Sequence, residues 1–124
     1  MLTALGMNVD ILLLAVEWRT RALLRAELIE SGFEVFATDN SSDARGTLHS
    51  PDRPRLVVVD LQNLPDPASI LAELRDTFNP SRVLILNAGA TVPPEQLAWF
   101  GFRVLARPMK IGSIVATVKE MWKG

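Results

Sequence analysis

The residues best placed to do chemistry stand at the ends of apolar runs. Asp60 closes Leu56-Val57-Val58-Val59-Asp60, Asn87 follows Val83-Leu84-Ile85-Leu86, and Arg107 follows Arg103-Val104-Leu105-Ala106. Glu17 comes just after the run that ends near Ala15 and Val16. A carboxylate behind four apolar residues is costly to bury unless it faces solvent, is paired, or does work. The plainest task for Asp60 is to cap the following turn through its own side chain. The single histidine, His49, precedes Ser50-Pro51 in an expected loop. It has no second histidine or cysteine to share a metal and reads as a surface residue. A Ser/His/Asp hydrolase is disfavoured because no Gly-x-Ser-x-Gly elbow exists. No glycine lies between Ala15 and Arg21, so no phosphate-cradling loop follows the first run.

Composition narrows the classes further. The chain has 124 residues, 48% hydrophobic and 22% charged, which is one ordinary globular domain and not a disordered segment. A chain of this length buries roughly 65–70% of its unfolded surface, so one core is feasible without staples. Thirteen basic against fourteen acidic side chains give a formal charge of -1, which offers nucleic acid no concentrated positive field. The lack of cysteine excludes disulfides, thiolate metal sites and thiol catalysis. The apolar N-terminal stretch has no Lys or Arg before Arg19 and carries Asn8 and Asp10. It is expected to be neither a signal peptide nor a membrane span. A cytoplasmic domain over residues 8–124 is expected, with residues 1–7 a loose leader.

These residues must be positioned by a repeating scaffold. Five short apolar runs are expected strands: Val9–Ala15, Glu34–Ala37, Leu56–Asp60, Val83–Leu86 and Arg103–Ala106. Three contain continuous apolar stretches, which fit strands buried on both faces of a parallel sheet. Helices are expected over Trp18–Ser31, stopped by Gly32, and from the caps Ser41-Ser42-Asp43. Another opens at Asp66-Pro67 and runs to about Phe78. A brief one spans Pro93-Pro94 to Trp99, and the last covers Ile111–Trp122 with Ile114, Val115, Val118, Met121 and Trp122 on one face. The run ends recur at intervals of 22, 23, 26 and 20 residues, a βαβ progression. Right-handed crossovers then give an α/β fold, a three-layer (βα)5 doubly wound parallel sheet, whose site lies at the carboxyl ends of its strands.

At those strands the chain resembles the receiver domains of two-component response regulators, typified by the bacterial chemotaxis receiver. Pro54-Arg55-Leu56-Val57-Val58-Val59-Asp60 looks like the family's P-D-L-V-L-L-D phosphoacceptor strand. Glu30-Ser31-Gly32-Phe33-Glu34-Val35 is similar to its x-x-G-[FY]-x-V approach to the second strand. Val83-Leu84-Ile85-Leu86-Asn87-Ala88 resembles V-[IL]-x-[LV]-[TS]-A, and Arg107-Pro108 stands where the family has Lys-Pro. The resemblance covers residues 8–124 and implies the flavodoxin-like strand order 2-1-3-4-5. It also implies a phosphorylation switch: Asp60 as phosphoacceptor, an acidic pair holding Mg²⁺, a Thr or Ser touching the phosphoryl oxygens, and a Lys neutralising them. Phosphoryl transfer needs this positioning and charge neutralisation more than covalent help.

Carried over residue by residue, the acceptor remains and most of its apparatus does not. The acidic-pair positions fall on Ala15 and Val16, neither of which ligates a metal. Glu17 is the one nearby carboxylate, either a surrogate ligand or a solvated residue of the first helical turn. Asn87 replaces the Thr or Ser, Arg107 replaces the Lys, and the aromatic switch position falls near Val104. The Leu-Pro of the following loop, Leu64-Pro65, comes one residue late. Arg for Lys is not a conservative exchange, because a guanidinium grips a carboxylate with two parallel donors. Arg107 is expected either to pair with Asp60 and freeze the site or to lean into solvent while Asp60 caps its loop.

The expected function is therefore a receiver-type signalling domain, atypical and not an enzyme, that works by protein–protein interaction. No cofactor is expected, with Mg²⁺ only in the alternative of a phosphorylation-competent receiver. A flavodoxin-like small-ligand module is a distant alternative, since Trp18-Arg19-Thr20 is a poor flavin loop. The partner would be a histidine kinase or an output protein, with a homodimer through the fourth-helix, fifth-strand and fifth-helix face also possible; no nucleic acid or membrane is expected. Trp99, Phe100 and Phe102 are the candidate interface, with core packing as the alternative and Trp122 as a further member.

Overall fold

The structure is a computed structural model that describes residues 9–87, 92–106 and 109–124. The expected leader at 1–7 lies outside the described residues. The continuous apolar runs become the three central strands β1 (Ile11–Leu14), β3 (Leu56–Asp60) and β4 (Val83–Asn87), in which every residue is buried. The edge strands β2 (Val35–Thr38) and β5 (Arg103–Ala106) are less covered. All neighbours pair in parallel in the order β2-β1-β3-β4-β5, the order the resemblance implied.

Strand side chains alternate between faces, so a run apolar at every position feeds two cores. Leu12, Leu14, Val57, Val59, Val83 and Ile85 point to one side. There they meet α2 (Ser41–Leu48), α3 (Pro67–Thr77) and α4 (Pro94–Trp99) through Leu48, Ile70, Leu71, Leu74 and Leu97. Ile11, Leu13, Leu56, Val58, Leu84 and Leu86 point to the other side. There α1 (Trp18–Glu30) and α5 (Ile111–Lys123) supply Leu24, Leu28, Ile114 and Val118. Each fully buried Leu or Ile contributes about 1.5–3 kcal/mol, so the two layers dominate the stability of the sheet.

The helix ends follow local chemistry, with some corrections to the sequence reading. Gly32 stops α1 in a left-handed conformation, φ 99°, with its N–H on the Ile29 carbonyl, as expected. The cap of α2 is Asn40, whose side chain accepts from the Asp43 N–H at 2.8 Å; Ser41 and Ser42 are already inside the helix. Asp66 occupies the cap position of α3 but adopts φ 47° and makes no capping bond, so Pro67 alone marks that start. A single 3-10 turn at Pro80–Arg82, held by the Asn79 side chain, precedes β4 and was not foreseen. Among the described residues no helix is long and apolar enough to cross a membrane.

Candidate functional site at the carboxyl ends of the strands

Register brings the candidate residues to one edge of the sheet. Asp60 pairs with Leu86, and Asn87 pairs with Ala106, so β3, β4 and β5 end side by side. Asp60 is only 3% exposed. Its Oδ1 accepts the Gln62 N–H at 3.0 Å, which is the turn-capping role open to an Asp at a strand end. The loop it caps is anchored by buried Leu61 and Leu64 and contains Asn63 in the left-handed region, φ 59°. Arg107 and Ala88 lie outside the described residues.

Asn87 is also buried, at 7% exposure. Its Nδ2 donates to the Val92 carbonyl at 3.3 Å and ties β4 to the start of α4. Its Oδ1 has no hydrogen-bond partner among the described residues.

The end of β1 departs furthest from a metal-binding receiver. Ala15 is fully buried and Val16 half-buried. Their carbonyl oxygens both accept from Nη1 of Arg21, at 2.8 and 3.1 Å. Glu17 is the N-cap of α1: its Oε1 accepts the N–H groups of Arg19 and Thr20 at 3.0 and 3.1 Å. It is thus one residue ahead of the first helical turn where the sequence reading set it, and its carboxylate is turned onto the helix end. Mg²⁺ needs hard oxygen ligands, usually one or two carboxylates. The residues here supply a guanidinium-bound pair of carbonyls and a carboxylate already engaged by two amides, so they do not fit that ion. Among the described residues no group of three or more His, Asp or Glu side chains could hold a metal.

The aromatic cluster divides. Trp99 is 83% exposed at the end of α4. Phe100 is half-buried beneath the Arg75 guanidinium, 4.9 Å from its ring centre, and meets Phe102 edge-on. Phe102 is 6% exposed and belongs to the core, so it leaves the candidate interface. Gly101, at φ 88°, turns the chain between Trp99 and Phe102 and sends them opposite ways. Trp122 lies on the other side of the sheet, edge-on to Phe33 and under Arg55 at 4.0 Å, and does not extend the patch. His49 is on the surface, as expected, with Nε2 2.6 Å from Oε2 of Glu73. Glu73 also holds Arg45 at 2.7 Å, and together these tie α2 to α3, a pairing the sequence reading missed.

No protein-family model matches the chain, and no curated protein matches it. Solved structures do. A response regulator receiver domain protein from Clostridium thermocellum superposes with a TM-score of 0.75 at 20% identity, over 93% of this chain and 94% of that one. The receiver domain of NtrX from Brucella abortus gives 0.76 at 21%, over 92% and 98%. A response regulator receiver protein from Sinorhizobium medicae gives 0.74 at 21%, over 94% and 95%. With the strand order and the placement of Asp60 at the end of β3, these likenesses identify the fold of this chain as that of the response-regulator receiver domains.

Proposed function

We propose that this chain is an atypical receiver domain of two-component signalling, in which Mg²⁺-dependent phosphorylation of Asp60 is impaired and the output is protein binding. The observation that supports this most directly is Arg21 on the Ala15 and Val16 carbonyls, beside a Glu17 carboxylate spent on the cap of α1. A resident cation at the end of β1 repels a divalent ion and supplies no ligand for it. The reading includes Arg107 as the cation that neutralises Asp60, holding the site in one state. It assigns the contact with a kinase or output protein to the α4 surface around Trp99, whose large exposed ring fits an anchor at the centre of an interface.

Intact-protein mass after incubation with acetyl phosphate, with and without Mg²⁺ and beside Asp60→Asn, tests the reading. No adduct is expected on a folded sample while a competent receiver in the same buffer reacts. A phosphate-sized adduct that needs Mg²⁺ and disappears in Asp60→Asn would instead make the chain a working phosphorylation switch.

A further inference from the structure

The outward face of α1 carries an arrangement that the receiver reading does not use. Four large apolar side chains are exposed among the described residues, and three of them are on this one helix: Trp18, Leu23 and Ile29, at 62%, 51% and 42%. Its inward face is already satisfied by Leu24 and Leu28, both fully buried. The helix is therefore apolar on two sides, and the outer one packs against no other element among the described residues.

The charges on that face are placed against the helix. Arg19 lies in the first turn and Glu30 in the last, and the acid at the start is the Glu17 cap, whose carboxylate is turned onto the helix amides. The helix dipole favours the reverse, by about 0.3–1 kcal/mol for each exposed charge. Arg19, Arg25, Glu27 and Glu30 are all exposed, and none forms an ion pair among the described residues. Arg19 lies 5.6 Å from the Trp18 ring centre, so charge and ring present one surface to a second molecule.

Spacing indicates what that surface fits. Residues eleven apart on a helix are separated by about three turns, or roughly 16 Å, and lie on nearly one line. Arg19 and Glu30 are so related, and so are Trp18 and Ile29. Between them the line is formed by Ala22 and Ala26, both exposed and small enough to let another helix approach closely. Rotating this face about a two-fold axis beside residue 24 and perpendicular to the helix lays Arg19 on a second Glu30 and Trp18 on a second Ile29. The face is complementary to itself.

We propose that α1 is a contact between two copies of this chain, with the two helices antiparallel across a two-fold axis. Such an isologous contact makes every pairing twice, so two reciprocal Arg19–Glu30 ion pairs lie along one flank of the Ala22 and Ala26 strip and two Trp18–Ile29 pairs along the other. Each Glu30 also comes to the amino end of the opposing helix, where its charge is favoured. One helix face is at the small end for a stable interface, so the dimer is weak and concentration-dependent. The inference stands apart from the phosphorylation state of Asp60 and from the α4 surface.

Sedimentation or light scattering of the full chain over a concentration series reads this directly. The mass should climb from one chain toward two. Arg19→Glu and Glu30→Arg should each raise the dissociation constant about tenfold or more, and the two together should restore it. Circular dichroism of these exposed-site variants checks that the fold is kept. A single-chain mass at every concentration overturns the proposal and leaves the α1 face to a different protein. So does a dimer indifferent to the charge reversals, or one that the double variant fails to restore. A dimer lost in Trp99→Ser would move the contact to α4 and overturn it equally.

Discussion

Nη1 of Arg21 lies 2.8 Å from the carbonyl oxygen of Ala15 and bridges to that of Val16, so a side chain of α1 closes the carboxyl end of β1. A guanidinium donating to two carbonyls makes charge-assisted bonds, stronger than their neutral counterparts. Arg21→Met should lower stability by about 2 kcal/mol in urea denaturation, because two strand-end carbonyls lose their donor. Arg21→Lys should recover only part of this, since an ammonium lacks the fork geometry. A loss below about 0.5 kcal/mol in Arg21→Met would show that the carbonyls are satisfied without it.

The scaffold was legible because its signal is periodic and redundant. Leu56–Val59 and Val83–Leu86 are apolar at every position, which only strands covered on both faces sustain, and their spacing dictates the crossovers. The adjacency of Asp60, Asn87 and Ala106 then follows from strand order. The end of β1 was less legible. Arg21 reads as one more solvated helix arginine until the turn from Ala15 into α1 brings its guanidinium back to the strand. Glu17 was missed as a cap because Glu is not among the favoured N-cap residues. The aromatic cluster left both readings open for a different reason: proximity in sequence says nothing about direction once Gly101, at φ 88°, turns the chain.

That turn separates two otherwise similar substitutions. Phe102→Ala should cost about 3–5 kcal/mol, because a core ring leaves a cavity that its neighbours only partly fill. Trp99→Ala should change stability by less than about 0.5 kcal/mol, because the ring is exposed. Thermal or urea unfolding of the pair distinguishes them. Equal losses would mean that Trp99 also packs into the domain and is not held out for a partner.

The link between α2 and α3 should be acid-sensitive. Burial works to raise the Glu73 carboxyl, but hydrogen bonds and charge from Arg45 and His49 outweigh it and bring the group below its ordinary 4.5. A carboxyl depressed by folding contributes stability that is present above the unfolded value and lost as pH falls through the folded one. Glu73→Gln should therefore cost on the order of 1 kcal/mol at neutral pH. The difference from the parent chain should shrink below about pH 4.5 and vanish once the native carboxyl is protonated. Urea midpoints for both chains across the acid range give the comparison, and a difference independent of pH would remove Glu73 as its source.

Asp60 raises the sharpest question of charge. A carboxylate 3% exposed at the end of an apolar strand is costly to keep ionised in the low-dielectric interior without a cation. Our reading gives that task to Arg107, one residue beyond the Ala106 that pairs with Asn87. Removing one member of a buried pair leaves the other charge uncompensated, so Arg107→Met should destabilise the chain by about 3 kcal/mol. Adding Asp60→Asn should recover much of that loss, because the amide keeps the shape and removes the stranded charge. The recovery tells a direct pair from a general structural role of Arg107. If Arg107→Met leaves the urea midpoint unchanged, or if Asp60→Asn adds its own cost in full, the locked pair is wrong. Arg107 would then face solvent, and the Gln62 amide would carry more of the burden of holding Asp60 in place.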